Sequence, residues 1–191
     1  MKRDVKETLK LFVPPIFVLL YRRVAQRTTF TGNYARWDDA LARSTGYDLD
    51  SILHKVTEVL LKVKRGEAAY ERDSVLFDRI ECSWPLLSGL LVAAARNNSR
   101  LNVVDIGGSL GSIYFQSRKF LKKLVGVRWI IVEQKKFIDV GEKYFKDAGL
   151  RFYHDLRACL EKEKPNAAVL SSVLPYVRNP YEFLEVVTSV I

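Results

Sequence analysis

The chain has 191 residues, nearly half of them apolar, with 31 Lys and Arg against 22 Asp and Glu and a net charge of +9. That composition can bury one good core, so one domain with an N-terminal extension is expected. Two cysteines, Cys82 and Cys159, lie far apart without CxxC spacing, and only two histidines, His54 and His154, are present. We therefore expect no disulfide framework and no metal site, but reduced packing cysteines in a cytoplasmic protein.

At the start, Lys2, Arg3, Lys6, Lys10, Arg22, Arg23 and Arg27 surround the apolar run Leu11-Phe-Val-Pro-Pro-Ile-Phe-Val-Leu-Leu-Tyr21. The run is too short to span a bilayer, is broken by Pro14 and Pro15, and lacks a cleavage site of small residues. Two readings stay open: a helix packed on the domain, or a peripheral anchor drawn to anionic lipid. No basic stripe with interleaved aromatics is visible, so nucleic acid is not expected as a partner.

A short amphipathic helix is expected over Trp37–Arg43. A second helix carries Ile52, Val56, Val59, Leu60 and Val63 on one face and ends at Gly66. Arg72 and Asp73 precede Val75-Leu-Phe77, either as a helix-entry ion pair with Asp73 or Ser74 as cap, or with Arg72 pairing to the carboxylate of a bound cofactor. The helix expected from about Pro85 to Asn97 is apolar nearly all round, which implies burial against a sheet.

Leu101-Asn-Val-Val-Asp-Ile-Gly-Gly-Ser-Leu-Gly-Ser112 then reads as a buried strand, a glycine turn and a helix start. Asp105 sits at the strand's end, and Gly107, Gly108 and Gly111 let the backbone turn sharply and approach a ligand. The spacing departs from G-x-G-x-x-G, and no P-loop exists in the chain. Val127-Arg-Trp-Ile-Ile-Val-Glu133 is the next strand; a carboxylate at its tip is the device that accepts hydrogen bonds from ribose hydroxyls.

After a helix from about Phe137 to Asp147, strands follow at Leu150–His154 and Ala167–Ser171, separated by a helix over about Arg157–Glu163. A last helix begins near Asn179 and Pro180. Strands alternating with helices imply an α/β fold with a parallel sheet, whose ligands bind beyond the carboxyl ends of the strands. The expected division is a helical region over 1–97 packing on the sheet, and a Rossmann-like part over 98–191.

An acidic strand end followed by these glycines resembles motif I of class I S-adenosylmethionine-dependent methyltransferases. More closely, the chain is similar to a bacterial family labelled as methyltransferases and distantly related to class I enzymes. The segments that carry the likeness are Tyr70–Phe77, Trp84-Pro-Leu-Leu87, Asp105–Ser112, Trp129-Ile-Ile-Val-Glu-Gln134 and Ser171-Ser-Val-Leu-Pro-Tyr176. The resemblance implies S-adenosyl-L-methionine as cofactor and a small-molecule or glycan-type acceptor.

It further implies that Asp105 orients the methionine amino group, directly or through Gly107, and that Gly107, Gly108, Ser109 and Gly111 form the turn under the cofactor. Glu133 would hold the ribose, Gln134 flank the adenine and Asp155 accept from its amine. Ser171 and Ser172 would sit where methyl and acceptor meet. No catalytic base is assigned: His154, next to a strand end, reads as structural, and Tyr176 as pocket wall or core cover.

One departure from the family stands out. A full class I domain has seven strands, and four are counted before Ile191, so the fold is expected to be truncated after the fourth. That strand would become an exposed edge, open to a partner chain. The alternative function is then a cofactor-binding or scaffold module without turnover, with a nicotinamide oxidoreductase as a distant third.

Overall fold

A computed structural model of the chain describes residues 14, 32–44, 50–80, 82–189 and 191. The apolar run Leu11–Tyr21, apart from Pro14, and the basic residues around it lie outside the described residues. The chain separates into two compact units, 1–45 and 46–191. In the first, helix α1 (Trp37–Arg43) buries none of its residues. Among the described residues, no helix is long and apolar enough to cross a membrane.

The second unit is an α/β domain of Rossmann-like topology. Its elements are α2 (Asp50–Arg65), a hairpin of β1 (Tyr70–Arg72) and β2 (Val75–Phe77), α3 (Trp84–Arg96), β3 (Arg100–Ile106), α4 (Ser112–Leu121) and β4 (Gly126–Val132). Then come α5 (Lys135–Tyr144), β5 (Leu150–Tyr153), α6 (Leu156–Glu163), β6 (Ala167–Val169), a 3-10 turn at Leu174–Tyr176 and α7 (Pro180–Thr188). The four main strands form one sheet in the order β5-β4-β3-β6, and all pairs are parallel.

The β-branched run of β3 explains its central place. Val103, Val104 and Asp105 pair with Trp129, Ile130 and Ile131 on one side and with Ala167, Ala168 and Val169 on the other. Alternate residues then feed two cores. Val103, Trp129, Ile131, Phe152 and Val169 pack with Leu60 and Val63 of α2, Leu87 and Leu90 of α3 and Phe115 of α4. Val104, Ile106, Ile130 and Val132 pack on the opposite face with Cys159 and Leu160 of α6 and Val187 of α7. Cys82 and Cys159 are both free and buried, one in each core.

Two expectations change. Residues 70–77 do not enter a helix: Asp73 and Ser74, with φ of 51° and 61°, form the two-residue tip of an antiparallel hairpin. Two successive left-handed residues give the twist a tight hairpin needs, and acidic and hydroxyl side chains tolerate it. Helix α3 is not enclosed either. Leu87, Leu90 and Ala94 are buried, while Trp84, Leu91 and Val92 are exposed. A helix lying on one face of a sheet buries a stripe, not its whole circumference.

Candidate functional site

Parallel pairing puts the carboxyl ends of β3, β4, β5 and β6 on one rim. Ile106 faces Val132, Val132 faces Tyr153, and Asp105 faces Val169. The ten sequence-predicted residues lie near or follow the carboxyl ends of these strands in the chain, and Gly111 packs over Ile131 and Leu150. Two bonds tie it together: the Gly107 N–H donates to the Val132 carbonyl, and the Glu133 N–H to the Tyr153 carbonyl, at 2.9 and 3.1 Å.

Asp105 is the anchor of the glycine turn. Its carboxyl is fully buried, and Oδ2 accepts the indole N–H of Trp129 at 2.9 Å. Oδ1 is buried with no hydrogen-bond partner. Burial, opposed by the Trp129 bond and reinforced by the neighbouring Glu133 charge, pushes the pKa up to about 7. Glu133 itself is raised, chiefly by burial and against the Gln134 N–H it accepts.

The glycines are also required by the packing around them. A Cβ on Gly108 would lie 2.6 Å from the Asp105 carboxyl carbon, and one on Gly107 would lie 2.9 Å from a Val173 methyl. At Gly111 the neighbours are Ile131 and Leu150, at 3.2 and 3.3 Å. The space that the missing side chains leave is taken by the protein's own groups. The turn also needs left-handed backbone at Gly107 (φ 73°), Ser109 (φ 55°) and Gly111 (φ 101°). Gly111 begins α4 without a side-chain cap, so first-turn N–H groups have no intrahelical acceptor.

The remaining residues are less converged. Gln134 is exposed and begins α5 without a side-chain cap bond. Asp155 caps α6, accepting the Ala158 N–H at 2.7 Å, a satisfied local role. Ser171 and Ser172 are exposed after β6, and Ser172 is left-handed at φ 60°. His154 is exposed beyond β5, and Tyr176 is exposed in the 3-10 turn. Among the described residues, no group of three His, Cys, Asp or Glu is gathered that could hold a metal ion.

A cavity of about 630 Å³ lies beside the glycine turn. Its walls are the hairpin (Glu71, Arg72), the start of α3 (Ser83, Leu86), the start of α4 (Ser112, Gln116) and the end of β6 through Ser171. Glu71, only 4% exposed, accepts the Ser112 hydroxyl and the Ser74 N–H at 3.1 Å. It clamps the hairpin onto the first residue of α4.

Sequence reasoning missed three participants. Trp129 was legible by parity, since it lies two residues before Ile131, the partner of Asp105, on the same sheet face. Glu71 was legible had the two short β-rich runs around Asp73-Ser74 been read as a hairpin. Val173 carried no signal, because only the return of the chain after β6 brings it to Gly107. No family model matches the chain, and no curated protein or solved structure was found to be similar to it.

Proposed function

We propose that the protein is an S-adenosylmethionine-dependent methyltransferase, cytoplasmic, acting on a small-molecule or glycan-type acceptor. The observation that carries this reading is the Asp105 carboxyl. It sits fully buried under a glycine turn at the sheet's carboxyl rim, one oxygen held by Trp129 and the other lacking a donor. Isolated buried carboxylate oxygens are costly, and a cationic ammonium over the turn is the partner that offsets the cost. A positively charged ligand also favours the ionised carboxyl.

In this reading Glu133 accepts from the ribose hydroxyls and Gln134 flanks the adenine. Asp155 has one oxygen beyond its capping bond for the adenine amine. Gly107, Gly108, Ser109 and Gly111 pass beneath the methionine part, and Ser171 and Ser172 stand at the acceptor side. The cofactor brings an already activated methyl group; the chain's part is to bind, align and exclude water, and alignment supplies much of the rate. No side chain is assigned as general base.

A second reading, a cofactor-binding or scaffold module without turnover, is favoured by the four-stranded sheet with β6 at its edge, which offers a partner chain an unpaired strand. Titration with S-adenosylhomocysteine, followed by calorimetry, tests both. Asp105→Asn and Glu133→Ala are each expected to weaken binding at least about tenfold, roughly 1.4 kcal/mol. Unchanged affinity in both variants removes the assignment. Binding without methyl transfer to any acceptor selects the module, and stronger stabilisation by NAD selects an oxidoreductase.

A further inference from the structure

The outer side of α3 and the end of α4 form one surface of the second unit. Both helices feed the same core, so they lie on one face of the sheet and their exposed sides point away from it together. Two contacts join them. Near the start of α3 the Trp84 ring meets Phe120 edge-on at 5.5 Å. Beyond its end the Ser99 carbonyl accepts the Val125 N–H at 2.9 Å. Arg100 reaches the same corner, since a Cβ on Gly126 would lie 3.9 Å from its guanidinium.

This surface combines apolar and cationic groups. From Ser83 to Ala95 the chain carries no charged residue. Even so, Trp84, Ser88, Leu91, Val92 and Ala95 are exposed, at a spacing that puts them on one side of the helix. Trp84 is 60% exposed, Val92 52% and, past α4, Val125 67%. Around them stand Arg96, Arg100, Lys119, Lys122 and Lys123, all exposed. Lys119 lies over the Phe120 ring at 5.2 Å. Among the described residues, none of the five takes part in an ion pair.

The excess of positive charge is local. Residues 83–132 hold seven Lys and Arg and a single acidic residue, Asp105, which is fully buried. The remainder of 46–191 has 15 Lys and Arg against 17 Asp and Glu. A nucleic acid would engage these cations and leave the uncharged side of α3 in water. A wholly apolar partner would bury the cations without counter-charges. An anionic bilayer meets both demands: its headgroups take the Lys and Arg ends, while Trp84, Leu91 and Val92 enter the boundary with the acyl chains. Tryptophan in particular favours that interface.

We propose that the outer side of α3, together with residues 119–125, docks the protein on an anionic phospholipid bilayer. The docking needs no membrane-crossing helix and does not rest on the cofactor reading.

The test is sedimentation of the full chain with two kinds of vesicle: phosphatidylcholine alone, and phosphatidylcholine with phosphatidylserine at about 3:1. Binding is expected to the mixed vesicles, with at least about tenfold weaker partitioning onto the neutral ones. Added salt is expected to release the protein, because it screens exposed charges. The triple variant Lys119→Glu, Lys122→Glu, Lys123→Glu is expected to lose at least about tenfold in partitioning. Trp84→Ser and Val92→Glu, which alter exposed positions of α3, are each expected to lose about threefold or more. The melting temperature and S-adenosylhomocysteine binding of all three variants are expected to match the parent.

No binding to the mixed vesicles, or equal binding to both kinds, overturns the proposal. So does full binding by the triple variant, which would move the contact to other basic residues of the chain. Full binding by both Trp84→Ser and Val92→Glu overturns it as well, and points to a purely electrostatic partner such as a nucleic acid. The basic and apolar variants are independent, so misfolding of one leaves the others decisive. Failure of S-adenosylhomocysteine to bind the parent chain counts against the cofactor reading only.

Discussion

Two buried carboxylates flank the start of α4, and they are treated in opposite ways. Glu71, delivered by the hairpin, takes the Ser112 hydroxyl on one oxygen and the Ser74 N–H on the other. Asp105, delivered by β3, has one oxygen on the Trp129 indole and leaves the second without a donor. A fully paired carboxylate acts as a fastening for the fold. A half-paired one is destabilising in isolation and gains most from an incoming cation or a bound proton.

The sharpest way to break this contrast is pH. The unfolded chain releases the Asp105 proton near 3.8, while the folded chain holds it up to about 7. The folded state therefore binds more protons in that interval, and stability falls as pH rises through it. The stabilisation is complete below about pH 4 and gone above about 7, changing by up to roughly 1.4 kcal/mol per pH unit between. Glu133, also raised, acts with the same sign. Urea midpoints are expected to be higher at pH 5 than at pH 8, and Asp105→Asn is expected to flatten the difference. A parent chain equally stable at both values would contradict the half-paired description of Asp105.

Glu71→Ala probes the other member. It removes the acceptor of two donors beside the α4 start and frees the hairpin, at a cost of about 3 kcal/mol. Chemical denaturation measures it. A loss below about 0.5 kcal/mol would show that Glu71 does not fasten the hairpin. The smallest effect concerns the rim residue already engaged locally: Asp155→Ala forfeits the α6 cap and should lower stability by about 1 kcal/mol. Its effect on S-adenosylhomocysteine binding is expected to be smaller than that of Asp105→Asn, which competition calorimetry can rank.

Much of the sheet was legible because its signals are local. The β-branched residues Val103, Val104 and Ile106, and the run Ile130-Ile-Val132, announce strands covered on both faces, and Gly107, Gly108 and Gly111 mark a turn whatever surrounds it. The alternation of strands and helices then leaves few arrangements for a parallel sheet. The hairpin escaped because its strands are three residues each, and Arg72–Asp73 reads equally well as a charged helix entry. The partial exposure of α3 escaped because periodicity reports which residues are apolar, not how many neighbours the fold supplies.

The site divides along the same line. Asp105, the glycines and Glu133 are fixed by their places at strand ends, so chain order alone puts them on one rim of the sheet. What fills the space at Gly107 and Gly108, which indole holds Asp105, and where Glu71 docks are outcomes of side chains meeting across elements up to 66 residues apart, as Val173 meets Gly107. Contacts between distant segments depend on packing in three dimensions, which no local propensity encodes; the ends of strands do not, and they are what the amino-acid order settled.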